Sequence, residues 1–243
     1  MENRLAKELT IVSSRCDSTA RLSVPGAFDL CIDLAGEHAE ALGNGIGSMM
    51  ERGLFWVAVK TKLRFVRRPR IMERVTLETW PEPPGRMKQN RSYRMTAEGE
   101  TLLTGKTEWT VLDTGAGGLH SPRDGIYAPA LEFCAEQSCP APFHRFRDDF
   151  ADAPFARYTV RSTDIDMGKH MNNVAYVRML AGLFPTEEWN AMDPREAELH
   201  YRSQCHEGDE LLLQKRTAPD GALEIRAALA DGTTILLARI VRA

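Results

Sequence analysis

A short segment in the C-terminal third of the chain concentrates the polar side chains that could catalyse a reaction. It is Thr163-Asp-Ile-Asp-Met-Gly-Lys-His-Met-Asn-Asn-Val-Ala-Tyr176, in which a carboxylate, Asp166, precedes His170 by four residues. The segment leads into residues with helical spacing, and a helix start has unpaired N–H groups and a positive dipole end. Such groups can stabilise a developing oxyanion. A carboxylate beside them is suited to acyl-transfer hydrolysis.

Each polar residue of this segment also has a structural alternative. Asp166 could cap the helix, and a lone histidine such as His170 is commonly a buried, hydrogen-bonded structural residue. Gly168, Asn172 and Asn173 are the candidates for the oxyanion site at the helix start. For the two asparagines, hydrogen bonding to the backbone is the simpler interpretation.

The composition indicates a globular protein without a membrane-spanning helix. Of the 243 residues, 43% are hydrophobic and 27% charged, and no apolar run approaches the roughly 20 residues that cross a membrane. The formal net charge of -3 gives no general attraction to nucleic acid. The N-terminal residues lack the apolar stretch of a secretory signal. Five scattered cysteines favour a reducing cytoplasm, and their surroundings do not predict a metal site.

The two halves of the chain share a plan, which indicates an internal duplication. Residues 63–77 match residues 199–213 at a fixed offset. A helical pattern opens each half, at residues 28–42 and 173–184, and short strand-like runs follow it. Helices followed by antiparallel strands predict the α+β class. In each half one sheet would curl around one helix, which is the hotdog arrangement.

Several motifs resemble the acyl-[acyl carrier protein] thioesterases of plants and bacteria. Residues 164–176 are similar to the family's Asp-x-Asp-x-Asn-x-His-Val-Asn-Asn-x-x-Tyr, and residues 199–205 to its Leu-x-Tyr-Arg-x-Glu-Cys. Residues 55–60, 79–81 and 109–113 also look like that family. The motifs occur in the family's order over nearly the whole chain. The resemblance implies a double hotdog, in which two antiparallel sheets each wrap a central helix and pack as an intramolecular dimer.

The resemblance also assigns roles to individual residues. Asp166 matches the family's catalytic carboxylate and His170 its catalytic histidine, while Cys205 matches a cysteine considered as a nucleophile, although a packed thiol is the alternative. This chain departs from the family at two positions, because the family's asparagine falls on Gly168 and its glutamate on Gln204. Asp166 would attack the thioester carbonyl or deprotonate a water. His170 would bond the substrate carbonyl or protonate the leaving thiolate, and Gln204 would orient water.

The first repeat is expected to shape the acyl pocket and the second to carry the chemistry. Core packing is the alternative for the candidate pocket residues, which are Met49, Met50, Leu54 and Trp56. Basic side chains at the end of a strand could attract an acidic carrier, although an ordinary solvated face is the alternative. The expected carrier-docking residues are Lys60, Lys62, Arg64, Arg67 and Arg68.

We therefore predict a cytoplasmic thioesterase that hydrolyses fatty acyl-[acyl carrier protein] to free fatty acid and carrier thiol. Residues 1–125 would form the N-terminal hotdog repeat, residues 126–152 a linker and residues 153–243 the catalytic C-terminal repeat. The expected partners are acyl carrier protein and a fatty acyl thioester, and a homodimer is left open. No metal or organic cofactor is expected. The alternatives are an acyl-CoA thioesterase, a hotdog dehydratase or hydratase, and a non-catalytic acyl-binding protein.

Overall fold

The computed structural model describes residues 3–243 and divides the chain into two compact units, Met1–Ala141 and Pro142–Ala243. The division falls inside the connector predicted at residues 126–152. Each unit combines helices with antiparallel strands, which confirms the predicted α+β class. No helix within the described part of the chain is long and apolar enough to cross a membrane.

In the first unit, neighbouring strands follow the order β1-β3-β4-β5-β2, and β6 pairs with β5. All the pairings are antiparallel. The elements of this unit are β1 (Leu5–Thr10), α1 (Val24–Ala41), α2 (Ile46–Glu51), β2 (Leu54–Phe65), β3 (Arg74–Pro81), β4 (Gln89–Ala97), β5 (Glu100–Asp113) and β6 (Gly118–His120).

Helix α1 starts four residues before the predicted helix because a capping residue precedes it. The hydroxyl of Ser23 accepts a hydrogen bond from the N–H of Gly26 at 3.0 Å, and Pro25 lies in the first turn, where a missing N–H costs nothing. The helix buries Phe28 and Cys31 and packs against β3. It therefore forms the central helix of the first unit.

Strand β2 joins two segments, residues 54–59 and 63–66, that the sequence pattern predicts as separate strands. Its pairing with β5 is continuous from Leu54 to Phe65 except for a register shift between Ala58 and Lys60. Such a bulge inserts one extra residue and bends a strand without ending it. The apparent break in the sequence pattern is therefore a bulge.

In the second unit, neighbouring strands follow the order β8-β11-β10-β9-β7. The Asp-Gly pairs at residues 220–221 and 231–232 form hairpin turns, in which Gly221 and Gly232 take left-handed φ values of 83° and 88° between paired strands. The elements of this unit are β7 (Ala156–Thr159), α3 (Asn173–Gly182), α4 (Thr186–Met192), β8 (Glu196–Tyr201), β9 (Glu210–Thr217), β10 (Leu223–Ala228) and β11 (Thr234–Val241).

The segment before β7 has no regular secondary structure, yet it is bonded along the second unit. Arg216 in β9 donates from Nη2 to the carbonyl of Arg147 at 2.7 Å and from Nη1 to the carboxylate of Asp149 at 2.6 Å. In β10, Nε of Arg226 lies 2.8 Å from a carboxylate oxygen of Asp148. These contacts fix this end of the predicted linker on the strands.

Candidate active site

Asp166 and His170 face each other across a tight loop that precedes α3. Ile165 and Met171 form an antiparallel bridge at its base, and the N–H of Asp166 donates to the carbonyl of His170 at 3.1 Å. Nδ1 of His170 lies 3.8 Å from Oδ1 of Asp166, which is close enough for electrostatic attraction but too long for a hydrogen bond. The side chain of Asp166 is 29% exposed and that of His170 is 22% exposed, so both are accessible to a ligand.

Gly168 permits this approach because it has no side chain. A Cβ added at Gly168 would lie 2.8 Å from Nε2 of His170 and 3.0 Å from Oδ1 of Asp166. The residue in the left-handed backbone region is Lys169, with a φ of 62°. The φ of Gly168 itself lies outside that region, so this position needs glycine for the space above its Cα.

Asp166 does not cap α3, because its bonded oxygen is used inside the loop. Oδ1 accepts a hydrogen bond from the N–H of Gly168 at 2.7 Å. Within residues 3–243, Oδ2 of Asp166 accepts no hydrogen bond. One carboxylate oxygen is thus held in place, and the other is available to a water or a substrate.

Asn172 organises the backbone at the start of α3, as its structural interpretation predicts. Oδ1 of Asn172 accepts from the N–H of Val174 at 2.8 Å, and its carbonyl accepts from the N–H of Ala175 at 2.9 Å. Asn173 is the first residue of α3, where an N–H has no acceptor inside the helix. Fewer N–H groups than expected are therefore available to an oxyanion, because the N–H of Gly168 already donates to Asp166.

The structure argues against Cys205 as a nucleophile. The residue is fully buried, and its Sγ lies 3.1 Å from the hydroxyl of Tyr176 and 3.7 Å from Sδ of Met171. Burial raises the pKa of the Cys205 thiol, which lowers the fraction of reactive thiolate at neutral pH. Gln204 beside it is exposed and makes no side-chain hydrogen bond within the described part of the chain.

A cavity of about 450 Å³ lies in the first unit, between α1, the start of α2 and the inner faces of β2, β4 and β5. Of the four expected pocket residues, Met49 and Trp56 line it. Met50 is exposed on α2, and Leu54 packs in the core with Met49 and Val111, so neither of these two belongs to the lining. Their expected role as pocket residues is therefore corrected.

The cavity also contains polar residues that the sequence analysis did not single out. Asn44, Gln89, Arg91, Trp109 and Tyr127 contribute to its lining. The alternation of Gln89 and Arg91 along β4 is the sequence signal that could have placed both on one face. Nothing in the sequence shows that this face is turned towards α1.

The expected carrier-docking face is only partly exposed. Arg64 and Arg67 are exposed, and Arg67 pairs with Glu73. Lys60 is half-buried and lies 3.1 Å from Glu108.

Two residues of that face are buried, so the docking role expected for them is wrong. Arg68 donates to a carboxylate oxygen of Asp17 and to the carbonyl of Leu22. Lys62 is also buried. Neither side chain can meet a partner at the surface, so only Arg64, Arg67 and the half-buried Lys60 of the expected docking face remain candidates.

Comparison with known proteins matches both units to one family. Residues 2–130 match the acyl-ACP thioesterase N-terminal domain, and residues 148–234 match the C-terminal domain of the same family. A chloroplastic oleoyl-acyl carrier protein thioesterase of Coriandrum sativum is 24% identical over 79% of this chain. The oleoyl-acyl carrier protein thioesterase 1 of Arabidopsis thaliana, also chloroplastic, is 23% identical over 84% of this chain. The matches span 56% and 61% of the length of these two curated relatives.

Solved structures agree with the sequence matches. An acyl-ACP thioesterase from Bacteroides thetaiotaomicron superposes with a TM-score of 0.84 at 19% identity, covering 99% of this chain and 98% of the other. The 12:0-ACP thioesterase from Umbellularia californica superposes with a TM-score of 0.83 at 19% identity, covering 100% of this chain and 98% of the other. The fold is thus that of the hotdog thioesterases. The chain belongs to the acyl-ACP thioesterase family.

Proposed function

We propose that this chain hydrolyses fatty acyl-[acyl carrier protein] to free fatty acid and carrier thiol, with Asp166 and His170 as the catalytic pair. Membership of the family supports the reaction. The observation that carries the residue assignment is the 3.8 Å approach of His170 Nδ1 to Asp166 Oδ1 above the unsubstituted Cα of Gly168.

The chemistry follows from the free oxygen of Asp166. Oδ2 takes a proton from a water while the water oxygen attacks the thioester carbonyl carbon. The N–H of Asn173, at the positive end of α3, stabilises the oxyanion that forms. The carbon–sulfur bond then breaks, and the sulfur leaves with its electron pair and takes a proton from His170. The proton held by Asp166 returns to His170, which restores both groups.

The first unit is the proposed binding site for the acyl chain. Its cavity of about 450 Å³ falls in the range of small-molecule sites, and Met49 and Trp56 provide apolar lining. The second unit carries the Asp166–His170 loop. This assignment matches the division of labour expected from the sequence.

The reaction is tested by following both products from acyl carrier protein thioesters of several chain lengths. The proposal predicts one free thiol and one free fatty acid for each thioester consumed. An enoyl product would indicate a dehydratase, and tight binding without thiol release would indicate an acyl-binding protein. Faster turnover of CoA thioesters than of carrier-protein thioesters of equal chain length would indicate an acyl-CoA thioesterase.

The carrier is tested separately at the docking face. Arg67→Glu reverses an exposed charge that can attract an acidic carrier, so it should raise KM for carrier-protein thioesters more than for CoA thioesters. Arg157→Glu is the matched control, since Arg157 is an exposed arginine that pairs with one glutamate, Glu210, at 2.7 Å in the other unit. Equal effects of both variants on both substrates would exclude a docking role for Arg67.

We propose the cytoplasm as the location, which the five free cysteines support. Fractionation of the source cells followed by immunodetection tests this. The homodimer left open by the sequence stays a prediction, and light scattering of the purified chain gives its mass directly.

A further inference from the structure

The inner face of β4 and β5 places polar side chains in the cavity of the first unit. In the antiparallel register Gln89 is opposite Trp109 and Arg91 is opposite Thr107, so these side chains share one face. Gln89, Arg91 and Trp109 all line the cavity. The remaining lining includes the apolar residues Ile32, Ala35, Ile46, Met49 and Phe55.

Arg91 is a buried cation whose hydrogen-bond partners, among the described residues, are neutral side chains. It is 6% exposed, and its two side-chain hydrogen bonds both leave from Nη1, to Nδ1 of His38 at 3.0 Å and to Oγ1 of Thr79 at 3.4 Å. No carboxylate among residues 3–243 forms an ion pair with it. Burial lowers the pKa of Arg91, as expected for a charge removed from water. A buried guanidinium bonded only to neutral groups retains a strong preference for an acceptor oxygen.

Two further buried polar side chains at the cavity are incompletely hydrogen-bonded within residues 3–243. Asn44 is 1% exposed, and its side-chain nitrogen and oxygen make no hydrogen bond of ordinary geometry to another residue of the described chain, although the side chain of Tyr127 lies close enough to interact with it. Its position is fixed, because Nε1 of Trp56 donates to its main-chain carbonyl at 3.2 Å. Nε1 of Trp109 is also buried, and among the described residues it has no acceptor with ordinary hydrogen-bond geometry, although the side chain of Tyr93 is its polar neighbour. Unpaired buried donors are rare in folded proteins and indicate a missing partner.

The carboxylates of the cavity do not supply that partner. Asp33 and Glu40 contribute to the lining, but both are exposed on α1. Asp33 lies 3.3 Å from Nη2 of Arg15. Tyr127 donates its hydroxyl proton to Oε1 of Gln89 at 2.7 Å, which uses that acceptor as well.

We propose that this cavity recognises an acceptor oxygen carried by the acyl chain, so that the preferred substrate is an oxygen-substituted fatty acyl thioester. A hydroxyl, an oxo group or a carboxylate could supply that oxygen to Arg91, Asn44 or Trp109, whereas an unsubstituted alkyl chain gives none of the three donors a further acceptor. The inference deepens the proposed function and rests on it for the thioester. The binding preference itself does not depend on catalysis.

Binding is measured with acyl amides, in which an amide replaces the thioester and prevents hydrolysis. The fluorescence of Trp56 and Trp109 reports occupancy, because both rings line the cavity. Chains of equal length are compared without a substituent, with a hydroxyl or oxo group at successive positions, and with a terminal carboxylate. The wild-type chain should bind at least one oxygenated chain about tenfold more tightly than the unsubstituted one. The position and the type of the best substituent distinguish the three sources of oxygen.

Two variants remove single donors: Asn44→Leu keeps the branched shape of the side chain, and Trp109→Phe keeps an aromatic ring without the N–H. Asn44→Leu and Trp109→Phe should each reduce the preference for the oxygenated chain about fivefold, with unsubstituted chains bound as well as before or better. Met49→Leu is the control, since it changes an apolar lining residue and should leave the preference intact. Occupancy in Trp109→Phe is followed through Trp56. Arg91 is left in place because it also holds His38 and Thr79.

The proposal is overturned if the wild-type chain binds every oxygenated chain no better than the unsubstituted one. It is also overturned if both donor variants, with cooperative urea unfolding like that of the wild type, keep the full preference. A chain that binds oxygenated amides selectively but releases no thiol would support the cavity assignment and refute the proposed hydrolysis. A chain that hydrolyses thioesters without such selectivity would support the proposed hydrolysis and refute the cavity assignment.

Discussion

Replacing Gly168 by alanine tests whether the placement of His170 matters for catalysis. The new Cβ would lie 2.8 Å from Nε2 of His170, about 0.7 Å inside an ordinary van der Waals separation of about 3.5 Å. The end of a side chain gives way more easily than backbone, so the imidazole should move away from Asp166 by roughly that distance. A displacement of about 1 Å at a reacting group can cost about a hundredfold in rate. We therefore expect kcat/KM to fall between about 10- and 100-fold.

Thiol release and urea unfolding are measured together on this variant. The φ of Gly168 lies outside the left-handed region, so the free energy of unfolding should change by no more than about 1 kcal/mol. Gly182→Ala is the matched control, because Gly182 ends α3 and an added Cβ there meets nothing within 4 Å. Unchanged kcat/KM in Gly168→Ala, or in Gly168→Asn with the residue of the family motif, would refute the role of this approach.

Three further variants test other parts of the structure. Asn172→Ala removes the cap of α3 and should lower the free energy of unfolding by about 1 kcal/mol, as measured in urea. Cys205→Ala should release thiol as the wild-type chain does, and a variant that no longer releases thiol would support Cys205 as the nucleophile. In the native chain the buried Cys205 should react with iodoacetamide far more slowly than after unfolding. Asp17→Asn breaks the pair with Arg68 and should cost about 3 kcal/mol at pH 7. Burial alone would raise the pKa of Asp17, but its bonds to Thr19 and Arg68 lower the pKa. The difference in unfolding free energy between the wild-type chain and Asp17→Asn should therefore shrink as the pH falls below about 4. A difference that persists in acid would contradict the assignment.

The strands of the second unit could be predicted closely because local sequence determines them. Asp-Gly pairs set the hairpin turns, and alternating apolar residues set the strands between them. Helix α3 was predicted at residues 173–184 and spans Asn173–Gly182, since Asn172 caps it and Pro185 follows it. The pattern missed five short elements that take their stability from tertiary packing and pairing: α2, α4, β1, β6 and β7.

The candidate site was predictable only where its residues are close in sequence. Asp166 and His170 are separated by one loop, so their spacing indicates their proximity. The burial of Arg68 depends on Asp17, which is 51 positions away, and no local pattern shows that pairing. The same holds for Arg91 and His38, which are 53 positions apart.

The central claim is that Asp166 is required for thioester hydrolysis. Asp166→Asn keeps the shape of the side chain and an oxygen for the N–H of Gly168 but removes the charge that accepts a proton from water. Asp209→Asn is the matched control in the same unit, since Oδ2 of Asp209 accepts the N–H of His206 at 2.8 Å and lies 3.9 Å from Nδ1 of that histidine.

The deciding measurement is the rate of thiol release from acyl carrier protein thioesters by the wild-type chain and these two variants. The account predicts a loss of about 10²- to 10⁴-fold in Asp166→Asn and wild-type turnover in Asp209→Asn. Equal turnover by the wild-type chain and Asp166→Asn would contradict it.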